Sequence, residues 1–119
     1  MRIDLDIPAN LWLTANGRLH WAAKASRTKR IRRLAFLLAQ KLPAMDAANI
    51  HAAISYPTAR RADPANASPT VKAAIDGIVD AGVLPDDDHR HVPGVTFSRG
   101  PDTGTTGLYR ISLTLEPLP

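Results

Sequence analysis

The sequence predicts a single α+β domain over residues 1–119, a mixed sheet with two helices packed on it and its elements in the order β-α-β-α-β-β. Three observations carry that expectation. Strict apolar/polar alternation marks strands at the start, middle and end of the chain. Two segments of helical spacing lie between them, and 119 residues hold one core of ordinary domain size rather than two.

Residues 2–7 alternate, so Ile3, Leu5 and Ile7 share one face of a half-buried strand that Pro8 ends. Residues 9–19 contain Asn10, Asn16 and Gly17 and read as a long loop, with Trp12 and Trp21 as its large anchors. From Trp21 to Leu42 the residues favour helix. Ile31, Leu34, Ala35, Leu38 and Leu42 form its stripe, Lys24, Arg32 and Lys41 lie outside it, and Pro43 stops it.

A second strand is expected over 48–56, where Ile50, Ala52, Ile54 and Tyr56 alternate with Asn49, His51, Ala53 and Ser55. Residues 57–68, rich in Pro, Arg, Asp and Asn, form a loop. Ser68 followed by Pro69 signals a helix start, with the serine oxygen as cap. That helix runs to about Ala81 and closes at Gly82. Val71, Ile75, Ile78 and Val79 are its apolar stripe, and Lys72, Asp76 and Asp80 follow at spacing four on a neighbouring face. Residues 92–99 make a strand through Val95 and Phe97 with an irregular start at Pro93-Gly94, and 100–107 a turn. Tyr109, Ile111, Leu113 and Leu115 alternate through the last strand.

Cysteine is absent, which excludes disulfide scaffolds, thiol nucleophiles and thiolate zinc sites. With neither a signal-peptide core nor an apolar run of about 18 residues, a cytoplasmic protein with no membrane partner is expected. Fifteen Lys plus Arg against eleven Asp plus Glu give a net charge of +4. Its distribution is more informative. No carboxylate occurs between Asp6 and Asp46, a stretch that holds Arg18, Lys24, Arg27, Lys29, Arg30, Arg32, Arg33 and Lys41, whereas Asp86, Asp87 and Asp88 are consecutive. A basic arm and a separate acidic knot suit an enzyme that grips phosphates with one part and holds a metal with the other.

Geometry permits the acidic groups to meet. From Lys72 to Gly82 a helix climbs about 15 Å at 1.5 Å per residue. An extended return through Val83, Leu84 and Pro85 at about 3.3 Å per residue brings Asp86 and Asp87 back to the level of Lys72 and Asp63. Oxygen ligands of this kind suit Mg²⁺ or Mn²⁺. Within an extended run Asp86 and Asp88 point one way and Asp87 the other, so the three do not all serve one ion. Arg60 and Arg61, just before Asp63, are placed for phosphate contact near such a metal. His89 and His91 read as an exposed turn entering a strand.

The segments Arg60-Arg61-Ala62-Asp63-Pro64-Ala65-Asn66, Lys72-Ala73-Ala74-Ile75-Asp76-Gly77 and Asp80-Ala81-Gly82-Val83-Leu84-Pro85-Asp86-Asp87 resemble the core of the RusA family of Holliday junction resolvases. These are small, dimeric, magnesium-dependent endonucleases often carried by phages and prophages. Asn16-x-Arg18-x-His20-Trp21 and the basic helix are similar to that family's N-terminal part, so the likeness covers most of the chain. The family pattern is an Arg-rich loop, an Asp-x-Asp-Asn motif, a helical lysine, and an Asp-Asp pair after a Gly-containing turn.

The resemblance implies a catalytic set of Asp63, Lys72 and Asp87, with Asp63, Asp86 and Asp87 on Mg²⁺, for which Mn²⁺ substitutes, and Lys72 stabilising the transition state. It departs from the pattern at Ala65, which stands where the second motif aspartate is expected, and in three extra residues between Asn66 and Lys72. Either Asp86, Asp76 or Asp88 supplies the missing carboxylate, or the metal is bound more weakly. The acidic run holds more carboxylates than one ion needs, so compensation from it is the expectation. Arg18, Lys24, Arg27, Lys29, Arg30, Arg33, Arg60 and Arg61 are the expected DNA-binding residues. The expected activity is paired nicking of four-way DNA junctions by a homodimer; the alternative is a non-catalytic, structure-selective DNA-binding protein on the same scaffold.

Overall fold

Period-two patterning becomes one buried sheet face. The computed structural model describes residues 1–119 and contains β1 (Arg2–Pro8), α1 (Trp21–Ala39), β2 (Ala48–Ser55), a 3-10 turn (Pro64–Ala67), α2 (Ser68–Asp80), β3 (Val95–Arg99) and β4 (Leu108–Pro117). The sheet order is β1-β4-β2-β3; β4 is antiparallel to both neighbours and β2 runs parallel to β3. A parallel pair needs a long crossover, and α2 lies in it. This is the α+β architecture, mixed sheet and two helices, that alternation and helical spacing predict.

The register stacks apolar side chains across three strands. Ile3 faces Leu113 and Leu5 faces Ile111, while on the other side of β4 Ile50, Ala52 and Ile54 face Leu115, Leu113 and Ile111. All are buried, together with Ile31, Ala35 and Ala39 of α1 and Val71, Ile75 and Ile78 of α2. The helices touch closely at Gly77, where a Cβ would stand 2.2 Å from the carbonyl oxygen of Arg32. No helix is long and apolar enough to cross a membrane.

Several local expectations are corrected. α1 ends at Ala39 rather than Leu42, and only Ile31, Ala35 and Ala39 of it are buried, with Leu34 and Leu38 half-buried. Its first six residues are all exposed, and Trp21, 76% exposed, anchors nothing in the core. Ser68 does not cap α2. The chain enters that helix already wound through the 3-10 turn, the N-cap is Ala67, and the Ser68 N–H donates to the Ala65 carbonyl. Gly82 ends α2 as its type predicts. With φ of 80° it lets its own N–H reach the Val79 carbonyl and the Val83 N–H reach that of Ile78, pairing carbonyls left over at the helix end.

The long loop after β1 is tied down from three sides. The buried Thr70 hydroxyl donates to the Leu13 carbonyl at 2.7 Å and accepts from the Leu13 N–H at 3.0 Å. The Ala15 N–H donates to the Asn66 carbonyl, and Arg27 donates to that of Trp12. These bonds fix the loop against the 3-10 turn and α2.

Candidate functional site

The turn at Gly82 brings the acidic run back beside α2. Lys72 Nζ donates to Asp76 Oδ1 at 2.8 Å and contacts Asp87 Oδ2. The lysine side chain is 59% exposed against 27% for Asp76 and 30% for Asp87, so the cluster sits at the surface with its ammonium outermost. Of the three donors on an ammonium two are engaged here, and the third is available to an incoming anion.

The remaining carboxylates have partners of their own. Asp86 Oδ1 accepts the Asp87 N–H at 2.7 Å. Asp88 accepts from Arg90, through its backbone N–H at 3.1 Å and its guanidinium at 2.8 Å, and the guanidinium hydrogen bonds hold the Asp88 carboxyl below its ordinary value. Asp80 is bound bidentately by Arg32 at 2.5 and 2.7 Å, which lowers its carboxyl likewise and links the two helices. Asp63 caps the 3-10 turn: its Oδ1 accepts the Ala65 N–H at 3.1 Å, and its carbonyl accepts that of Asn66.

The structure thus joins Lys72 to Asp87, across a return that bends at residues 83–85 rather than running extended, and adds Asp76. It leaves Asp63 outside that network, and no three His, Asp or Glu side chains stand close enough together to hold a metal ion. Of the acids that could stand in for Ala65, Asp76 is turned to Lys72, Asp86 Oδ1 to the Asp87 N–H and Asp88 to Arg90. The residues fit Mg²⁺ in kind. That ion takes hard oxygens, often only one or two carboxylates from the protein, with water and substrate phosphate completing its shell. The resemblance would place Asp63, Asp86 and Asp87 on that ion, although the structure gives Asp63 no contact with the Lys72–Asp87 pair.

The basic residues divide by what they touch. Lys29, Arg30 and Arg33 are exposed on α1 around a recess of about 560 Å³, with Arg33 5.3 Å from the Phe36 ring centre. Arg18 and Lys24 are exposed beside a second recess of about 320 Å³, whose third cation, Arg27, is half-buried and holds the Trp12 carbonyl at 3.1 Å. Arg60 and Arg61 are exposed on the loop that leads to Asp63.

Arg99, which sequence reasoning missed, shapes this loop, while Trp12 anchors its own loop as expected. Arg99, at the end of β3, donates to the carbonyls of Arg60 at 2.7 Å and Thr58 at 2.9 Å while lying 4.9 Å from the Tyr56 ring centre. Trp12 stacks on Tyr109 with centroids 4.3 Å apart and planes within 11°, and Tyr56 packs edge-on against both. Partial burial holds the Tyr56 hydroxyl above its ordinary value. Tyr56 follows the end of β2, Tyr109 stands near the start of β4 and Trp12 lies in the loop after β1, so their meeting depends on the sheet order and not on a local sequence signal.

Beside the trio, between the long loop and the 3-10 turn, lies a cleft of about 670 Å³ whose lining includes Trp12, Asn16, Tyr56, Arg61, Asp63 and Asn66. In comparisons with known proteins, no family model matches this chain and no curated protein does.

Proposed function

We propose that the protein is a metal-dependent endodeoxyribonuclease of the RusA type, acting on four-way DNA junctions as a homodimer. The observation that carries this reading is the Lys72 ammonium lying against Asp87, two groups of the resemblance that are 15 residues apart in sequence and meet in space. Exposed Lys29, Arg30 and Arg33 would follow one DNA strand's phosphates, and Arg60 and Arg61 would place another beside Asp63. When bound, Mg²⁺ would supply Lewis acidity and lower the pKa of a bound water. The third Lys72 donor would meet the charge that grows on a phosphate oxygen under attack. One chain carries one such centre, and paired nicks on symmetry-related strands need two, which a two-fold dimer supplies.

A second reading has observations of its own. Ala65 offers a methyl group where the pattern has a carboxylate, and one oxygen of Asp63 is already bound to the Ala65 N–H, an arrangement suited to a junction-binding protein that does not cut. Incubation of the protein with a labelled synthetic junction and a linear duplex of equal length, in Mg²⁺ and in EDTA, tests both. Paired nicks in the junction alone, dependent on metal, support the nuclease; tight junction binding without nicks supports the second reading; equal affinity for both DNAs removes both.

A further inference from the structure

We infer that the cleft beside Asp63 receives a single unpaired nucleotide, its base against Trp12 and its phosphate toward Arg61. The inference rests on the reading that DNA is the partner, and it names a feature of the substrate, an unstacked residue at a branch point. The cleft volume of about 670 Å³ lies within the range of roughly 300–1,000 Å³ typical of pockets for small ligands and is far too small for a duplex.

Its lining has the three chemistries a nucleotide needs. Trp12 lines the cleft beside its stack on Tyr109, and an indole can stack on a base of any sequence. Asn16 and Asn66 contribute side-chain amides, each with donors and an acceptor that match the edge of a base once Watson–Crick pairing is given up. Arg61 contributes a cation for the phosphate. The side chains of Asn16, Asn66 and Arg61 make none of the hydrogen bonds or ion pairs within the chain, so their polar groups are free for a ligand, as those of Arg27 and Arg99 are not.

The walls are also preformed. Thr70 and the Asn66 carbonyl pin the Leu13–Ala15 segment, and Arg99 pins the loop before Asp63 at two carbonyls. A rigid site spends little ordering entropy on a small ligand. A base inside a duplex must first be unpaired and unstacked; a base at a branch point has lost stacking continuity on one side, so it reaches the cleft at less cost than one within a continuous duplex.

The chain has two tryptophans, and Trp21 is 76% exposed, so Trp21→Phe leaves Trp12 as the sole indole reporter without disturbing the core. Emission of this variant is followed in EDTA during titration with deoxynucleoside 5′-monophosphates and, separately, with deoxyribose 5-phosphate. Saturable quenching by the nucleotides and none by the sugar phosphate at equal concentration is expected. Asn16→Ala and Arg61→Ala, both exposed positions, should each weaken nucleotide binding by about tenfold at most and by several-fold at least.

Equal responses to nucleotide and sugar phosphate, no response to either, or full affinity in both variants overturns the inference. The titration uses neither metal nor junction. A protein that cuts junctions but ignores mononucleotides therefore refutes the cleft alone, one that binds mononucleotides and junctions but does not cut refutes the nuclease alone, and one that binds mononucleotides but no junction refutes both the nuclease and the branch-point role of the cleft.

Discussion

Replacing Gly77 by alanine would place a methyl group where α1 and α2 touch. Its Cβ would lie 2.2 Å from the Arg32 carbonyl oxygen, 2.8 Å from Ala35 Cβ and 2.9 Å from the Phe36 backbone nitrogen. Two of these are backbone atoms inside a helix, so no side chain can swing away. Relief requires the helices to separate by about 1 Å, given that C···O contacts settle near 3.3 Å or more. Overpacking of a core costs about 1–3 kcal/mol, and a rigid obstacle puts this site at the upper end. Alanine recovers about 1 kcal/mol of helix propensity over glycine, leaving a net loss of about 2 kcal/mol.

Urea denaturation followed by circular dichroism should show that loss as a lower midpoint with an unchanged slope, and thermal melting should show a fall of about 8 °C for a domain of this size. Ala35→Gly added to Gly77→Ala should not restore stability, because it removes the methyl contact and leaves both backbone contacts in place. A Gly77→Ala protein as stable as wild type, or rescue by Ala35→Gly, would refute the packing argument.

Asp80→Asn weakens the bidentate link from Arg32 across the two helices. Both partners are over a third exposed, so solvent screening limits the expected loss at neutral pH to about 0.2–1 kcal/mol. The wild-type Asp80 carboxyl is lowered in the folded protein, so its contribution is full above the ordinary carboxylate pKa and lost as pH falls through the folded value. The stability gap between the two proteins, read from urea curves, should therefore be constant from pH 6 to 8 and close below about pH 4; a gap that widens in acid contradicts the sign. Arg30→Ala with Arg33→Ala should weaken binding to every DNA shape and reduce the slope of log affinity against log salt by up to about two, near one per phosphate contact, whereas an unchanged slope makes that face of α1 a solvated surface. Ala65→Asp adds a carboxylate at an exposed position two residues from Asp63. Cleavage at low Mg²⁺ should rise; a flat or lower rate would mean that the new charge only raises the pKa of its neighbours.

Much of the fold is legible in the sequence because its signals are local. Alternation through Ile3, Leu5 and Ile7 and through Ile111, Leu113 and Leu115 depends only on the two-residue period of a strand. Gly82 marks a helix end because a left-handed residue is needed there. The misplacements come from context: Ser68 has a capping residue's chemistry, but the 3-10 turn ahead of it moves the helix boundary back to Ala67. Trp21 has the bulk of an anchor, but it stands in the fully exposed first turns of α1.

The site was legible in part for the same reason. Lys72 and Asp87 are joined by one helix and a short return after Gly82; the helix rise can be added from the sequence, while the return bends at residues 83–85 where an extended run is expected. The Trp12–Tyr56–Tyr109 trio and the Arg99 clamp depend on β2 lying between β4 and β3, which no local period encodes. Charge counting likewise assigns Arg27 to DNA without revealing that it braces the Trp12 carbonyl.

Whether this acidic centre cuts DNA is decided by the cleavage rate of a four-way junction against Mg²⁺ concentration for the wild type, Asp63→Asn and Asp87→Asn, with junction binding measured in parallel. A carboxylate lost from a metal site removes hydrolysis and leaves the phosphate-gripping arginines in place. Both variants should therefore lose metal-dependent nicking and bind the junction nearly as tightly as wild type. Wild-type cleavage by either variant would remove that aspartate from the chemistry, and a wild-type protein that makes no nicks in Mg²⁺ or Mn²⁺ would contradict the nuclease assignment itself.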